Sequence, residues 1–170
     1  MSDQGKLMAE IADRIAIQDL IVKYARARDT TDASLYREIF AADATIGSPG
    51  KAFSSNLEEI LAKVASDVIR FNPGSRPGTT TYAIMRHEVT NALVTINGDT
   101  ARSDYYVDTL AYNEAARRPE IIATARNEDE YRRDDGRWLI TRSTLNFGWN
   151  HEEMGKALQV GPYTPPQYRH

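Results

Sequence analysis

The sequence predicts an α+β protein: a strongly curved, mixed but mostly antiparallel sheet, shaped into a cone-like barrel and closed by three N-terminal helices. Three observations carry this prediction. Apolar residues recur at helical spacing as far as Phe71. A dense run of chain breakers follows, Asn72-Pro73-Gly74-Ser75-Arg76-Pro77-Gly78. Beyond it the apolar pattern changes to the alternation of strands, punctuated by hairpin turns. Helices followed by antiparallel strands place the helices on one face of a sheet, and a curved sheet covered on one side encloses a pocket.

Each element has its own local signal. From Met8 to Arg28, the residues Ile11, Ile15, Leu20, Ile21, Tyr24 and Ala25 recur with charges between them, as in an amphipathic helix. Asp29-Thr30-Thr31-Asp32 ends that helix and supplies an N-cap for a short second one through Ala33 to Phe40. Ala41 to Ile46 reads as a short strand and Ser48-Pro49-Gly50 as a turn. Helical spacing returns from Ser55 to Phe71 through Leu57, Ile60, Leu61, Val64, Val68 and Ile69. Four strands then follow, over Tyr82 to Ile96, Ala101 to Tyr112, Ile121 to Arg132 and Arg137 to Asn146. Asn97-Gly98-Asp99 joins the first two and Asp134-Asp135-Gly136 the last two. From about residue 150 to 170 the tail is irregular, because Gly161-Pro162-Tyr163-Thr164-Pro165-Pro166 continues neither a helix nor a central strand. No repeat or low-complexity block interrupts the pattern, so residues 1–170 read as a single domain.

Composition removes several functions. The chain has 170 residues, enough for one core of ordinary size, and 41% of them are hydrophobic. Its 21 basic and 24 acidic residues leave a net charge of −3, which gives no electrostatic reason to expect nucleic acid. The absence of cysteine excludes disulfide scaffolds, thiol catalysis and thiolate metal sites, and fits a reducing compartment. Met1-Ser2-Asp3-Gln4-Gly5-Lys6 lacks the basic start and apolar run of a secretory signal, and no stretch approaches the roughly 20 apolar residues of a membrane helix. The expectation is a soluble, cytoplasmic protein without a membrane partner.

With no thiol, three histidines and no glycine-rich phosphate loop, the chemistry open to this chain is acid–base chemistry. His87 is the one histidine on an interior strand, and Tyr24 and Asp29 close the first helix. A neutral imidazole accepts and releases a proton near pH 7, an aspartate can fix its tautomer, and a phenol can donate to a carbonyl or a departing hydroxyl. Taken singly, each has a plainer explanation: a hydrogen-bonded structural histidine, a helix-ending acid, a core aromatic. His151 and His170 fall in or near the tail, and metal-ligand spacing is absent, so neither a metal nor an organic cofactor is expected. The serines lack a nucleophile-elbow context, and Trp138 and Trp149 read as core residues.

Several short segments, in order, resemble the SnoaL-like branch of the nuclear transport factor 2-like superfamily. They are Ile17-Gln18-Asp19-Leu20 with Tyr24 and Asp29 after it, Phe40-Ala41-Ala42-Asp43-Ala44, His87-Glu88-Val89-Thr90-Asn91, Asn97-Gly98-Asp99-Thr100-Ala101 and Tyr131-Arg132-Arg133-Asp134-Asp135-Gly136-Arg137-Trp138. The resemblance implies a cone-shaped α+β barrel with a deep pocket, in homodimers or homotrimers. It assigns His87 as the catalytic base, Asp29 as its partner and Tyr24 as a hydrogen-bond donor, as in the family's dehydratases and dehydrochlorinase. It also implies substrate-binding roles for an acid on the next strand and an arginine after the strand tryptophan. Asp108 is the nearest acid, although register anchored on Asp99 puts Thr109 at that position; Arg142 follows Trp138 by four residues rather than five. The function so implied is a cofactor-independent lyase for a small, largely apolar, cyclic substrate. An isomerase, a polyketide cyclase, a noncatalytic small subunit of a ring-hydroxylating dioxygenase and a ligand-binding module stay open beside it.

Overall fold

Ser2 begins the first helix, its Oγ accepting the Gly5 N–H at 3.2 Å, and Thr31 ends it in the left-handed conformation at φ 51°. These caps bound α1, Asp3–Thr30, in a computed structural model that describes residues 2–70, 82–113 and 117–150. Of residues 66–70, 82–85, 149 and 150 the backbone alone is described. The breaker run 72–78, most of the tail, His151 and His170 lie outside the described residues.

α1 is longer than its apolar pattern indicates, and only its C-terminal part is core. Ile17, Leu20, Ile21, Tyr24 and Ala27 are buried, whereas Ile11 and Ile15, expected in the same stripe, are exposed. At roughly 100° per residue, Ile11 and Ile15 lie well round the helix from that stripe. Asp32 then caps α2, Ala33–Ile39, by accepting from the N–H and hydroxyl of Ser34 at 2.8 and 2.6 Å. β1, Phe40–Ser48, turns through Pro49 and Gly50 into β2, Lys51–Ser54, a four-residue strand that the sequence pattern did not reveal. At the start of α3, Leu57–Arg70, Asn56 Oδ1 accepts the Glu59 N–H at 2.9 Å, and Glu59 Oε2 accepts the Ser55 N–H at 2.7 Å.

β3 (Tyr82–Asn97), β4 (Thr100–Asn113), β5 (Arg118–Asp134) and β6 (Arg137–Asn150) form an antiparallel meander. The sheet order is β2-β1-β6-β5-β4-β3, with β1 parallel to β6 and every other pair antiparallel. The mixed, mostly antiparallel sheet is as expected, but it does not close on itself. Among the described residues β2 and β3 each have one neighbour, and the helices cover the inner face instead, α1 against β3 and α3 against β1. Bulges between Thr90 and Leu93, Thr109 and Leu110, and Glu130 and Tyr131 add the local twist that curves long strands.

The core lies between α1 and the inner face, where Ile17, Leu20 and Ile21 join Val94, Tyr105, Val107, Tyr131 and Ile140. Asp13 fastens the helix to the far end of the sheet. It accepts from Arg133 at 2.6 Å and from the Trp138 indole at 3.0 Å, while the Arg133 guanidinium stacks over the Trp138 ring. Trp138 is therefore structural, as read.

Candidate active site

His87 and Asp29 are 58 residues apart in sequence and meet where the end of α1 crosses β3. One carboxylate oxygen, Asp29 Oδ1, accepts from both the backbone N–H of His87 and its ring Nδ1, each at 2.8 Å. The two contacts fix both the strand and the ring. Because a carboxylate only accepts, Nδ1 carries the proton and Nε2 keeps its lone pair. The His87 side chain is 3% exposed and that of Asp29 17%. Burial, helped by the Arg28 charge, pushes the His87 pKa down to about 4 even though Asp29 pulls it upward. At neutral pH the ring is therefore an uncharged, oriented acceptor.

Tyr24 stands one turn before Arg28 on α1, 3% exposed, and packs edge-on against Phe40 and Tyr36 with ring centroids 5.1 and 6.1 Å away. Among the described residues its hydroxyl completes no hydrogen bond, and burial holds its pKa above that of a free phenol. The Arg28 guanidinium lies 5.8 Å from the centre of the Tyr24 ring. Its charge reaches Tyr24, His87 and Asp129. His87 and Asp29 thus meet, and Tyr24 lies on the same helix as Asp29, beside Arg28.

A second polar cluster was not read from the sequence. Asp129 on β5 is 1% exposed, and its Oδ2 accepts from the Tyr105 hydroxyl at 2.6 Å and the Tyr131 hydroxyl at 3.4 Å. Ser103 bonds Tyr131 at 2.7 Å, and the Asn127 amide reaches the Tyr105 oxygen at 3.4 Å. Asp129 Oδ1, Asn127 Oδ1 and Ser143 Oγ are buried without a hydrogen-bond partner among the described residues. Ser143 lies close enough to Tyr24 and Asp129 to favour their charged forms without completing a hydrogen bond to either. Burial raises the Asp129 pKa to about 6, against the opposing pull of the phenol donors. The available signal was parity: Asn127, Asp129 and Tyr131 alternate in step with the apolar Ala123 and Ala125, so polar groups occupy the inward positions.

The two expected substrate-binding residues are elsewhere. His87 pairs with Thr109 across β3 and β4, and Thr109 is buried beside it. Asp108 pairs with Glu88 and so takes the opposite face. The same alternation leaves Tyr106 51% exposed. Arg142 pairs with Glu130 on the outer face, where its guanidinium approaches Glu130 at 3.8 Å. A bulge lies beside Arg142, but it turns Ser143 inward and leaves the Arg142 side chain 59% exposed. Asn91, the last residue of the His-x-x-x-Asn match, is exposed at φ 54° in the β3 bulge, a backbone shape that asparagine adopts more readily than most residues. No group of His, Asp and Glu among the described residues is arranged to hold a metal ion.

The family model described as a SnoaL-like domain matches residues 9–144. No curated protein matches the chain significantly. Solved structures do. Hexachlorocyclohexane dehydrochlorinase LinA-type3 from Novosphingobium barchaimii superposes with a TM-score of 0.68 at 19% identity, over 94% of this chain and 98% of that one. An NTF2-like protein with a cystatin-like fold from Novosphingobium aromaticivorans gives 0.68 at 21% identity, over 95% and 99%. A putative aromatic ring hydroxylase from Novosphingobium aromaticivorans gives 0.61 at 28% identity, over 81% and 90%.

Proposed function

Because this chain belongs to the SnoaL-like domain family, we propose that it is a lyase, eliminating water or a hydrogen halide from a small, largely apolar, cyclic substrate. The observation that carries the reading is the Asp29 oxygen shared by the His87 backbone and ring. The likeness of fold to a dehydrochlorinase supports it.

In this mechanism His87 Nε2 removes a proton from the carbon next to the leaving group. The electron pair of that C–H bond forms the double bond, and the leaving group departs with the electrons of its own bond. Asp29 stabilises the imidazolium that forms and keeps its Nδ1–H aimed at the carboxylate. Tyr24 donates its hydroxyl to the substrate oxygen or to the departing group. Proton transfer is the whole of the chemistry assigned to the protein, and these side chains supply it without a cofactor.

The test is a panel of halogenated and hydroxylated cyclic compounds, followed by halide release or by absorbance of the new double bond. His87→Ala is expected to lower kcat/KM at least about a thousandfold with the fold retained. The acid limb of the wild-type kcat/KM profile should fall near pH 4, the value to which burial drives His87, well below 6.5. Turnover unaffected by His87→Ala rejects the reading. Tyr24→Phe separates chemistry from packing. Since the hydroxyl completes no hydrogen bond among the described residues, the melting temperature should hardly change, while turnover drops about tenfold or more through loss of one donor.

One observation favours a second reading, as a noncatalytic subunit of an aromatic-ring hydroxylase: the 28% identity to a protein described as a putative aromatic ring hydroxylase. Such a subunit would co-purify with a larger iron-bearing chain, since this one has no cysteine to hold an iron–sulfur cluster.

A further inference from the structure

The half-buried arginines of this protein have partners, with one exception among the described residues. Arg14 donates to the Val94 carbonyl at 2.7 Å and to Glu10. Arg132 is clamped by Asp43 and Asp134, and Arg133 by Asp13 and Asp99. Arg28 is half-buried like these but makes no hydrogen bond or ion pair among the described residues. Its neighbour in sequence, Asp29, commits Oδ1 to His87. The end of α1 and the Tyr24 ring account for a cation being tolerated there, since a helix C-terminus and an aromatic face both favour positive charge. Neither offers an acceptor to the five N–H donors of the guanidinium.

The placement is specific to the site. Arg28 stands over Tyr24, adjoins Asp29, and its charge acts on His87 and on Asp129 across the inner face. A base that removes a carbon-bound proton leaves negative charge on the substrate, and the charge settles best on an oxygen conjugated with that carbon. A planar, forked guanidinium matches such an oxygen, or a carboxylate, better than it matches a spherical ion.

We propose that Arg28 is the anion-binding residue of this site, and that the natural ligand carries a carboxylate or an enolate-type oxygen on its ring. The location of the site rests on the lyase reading given above, and the chemistry of the ligand on Arg28 itself. The substrate class so defined is a cyclic carbonyl or carboxyl compound, with the acidic carbon next to the oxygen-bearing one.

Calorimetric titration of the full-length protein with benzoate and benzamide, at fixed ionic strength, tests this. The two probes share a planar shape and differ in charge. Benzoate is expected to bind at least about tenfold more tightly, as a charge-assisted contact exceeds a neutral one. In Arg28→Met and Arg28→Gln the two affinities should converge to within about twofold. Whichever variant keeps the wild-type melting profile is sufficient. Equal affinities in the wild type, a preference that survives in a folded Arg28 variant, or displacement of benzoate by equimolar chloride each overturns the proposal. A missing benzoate preference beside His87-dependent turnover rejects this inference alone. An Arg28-dependent preference beside turnover indifferent to His87→Ala rejects the lyase reading alone.

Discussion

Asp29→Asn and Asp29→Ala are expected to give different losses, and the difference follows from one oxygen atom. Asp29 Oδ1 accepts from both the backbone N–H and the Nδ1–H of His87. An asparagine carbonyl oxygen can take the same two bonds, so Asp29→Asn retains the ring orientation and loses only the negative charge. Its turnover should fall about a hundredfold, through weaker stabilisation of the imidazolium, with stability within about 1 kcal/mol of the wild type. Asp29→Ala leaves two largely buried donors without an acceptor. That is expected to cost about 2–4 kcal/mol of stability, and turnover should fall about 10⁴-fold because the tautomer is no longer held. Urea unfolding and the substrate panel read the two effects separately. Equal turnover in the two variants would exclude orientation of His87 as the role of Asp29.

The meeting of Asp29 and His87 was legible because it rests on coarse features. A helix whose last turn carries Asp29 and a strand that contains His87 come together once the helices cover one face of the sheet. The placement of Asp108, Arg142 and Asp129 depends on finer ones. Parity along a strand decides the face, and each bulge resets it by one residue. The bulge between Glu130 and Tyr131 makes Ser143 the inward neighbour of Asp129, and no turn residue or break in hydropathy marks it. Asp108 and Thr109 differ by one position, and the pairing of Thr109 with His87 settles the choice. β2 escaped notice for a different reason. Four residues, two of them exposed, carry too short an alternation to be distinguished from a loop. Ile11 and Ile15 show the converse limit, since helical spacing identifies a helix but not which of its apolar residues meet the sheet.

One buried acid, Asp129, and one buried base, His87, should nearly cancel in the pH dependence of stability, and each single substitution should expose the other. Asp129 has a folded pKa raised to about 6 from 3.8. The folded state therefore keeps a proton that the unfolded state has released. Its contribution to stability is complete below pH 3.8 and is lost as pH rises through about 6. His87 has a folded pKa lowered to about 4 from 6.5. There the unfolded state holds the extra proton, so the contribution is complete above pH 6.5 and is lost as pH falls through about 4. Each swing is on the order of 3 kcal/mol, from about two pKa units at 1.36 kcal/mol per unit. Between pH 4 and 6 the two slopes are opposed. Relative to the wild type, Asp129→Asn should gain stability with rising pH across this window, and His87→Gln should lose it, each by about 3 kcal/mol. Other carboxylates titrate alike in all three proteins and drop out of the differences. Urea unfolding at half-unit steps of pH measures both curves. Difference curves flat within about 1 kcal/mol would show that neither group is held in its neutral form by burial.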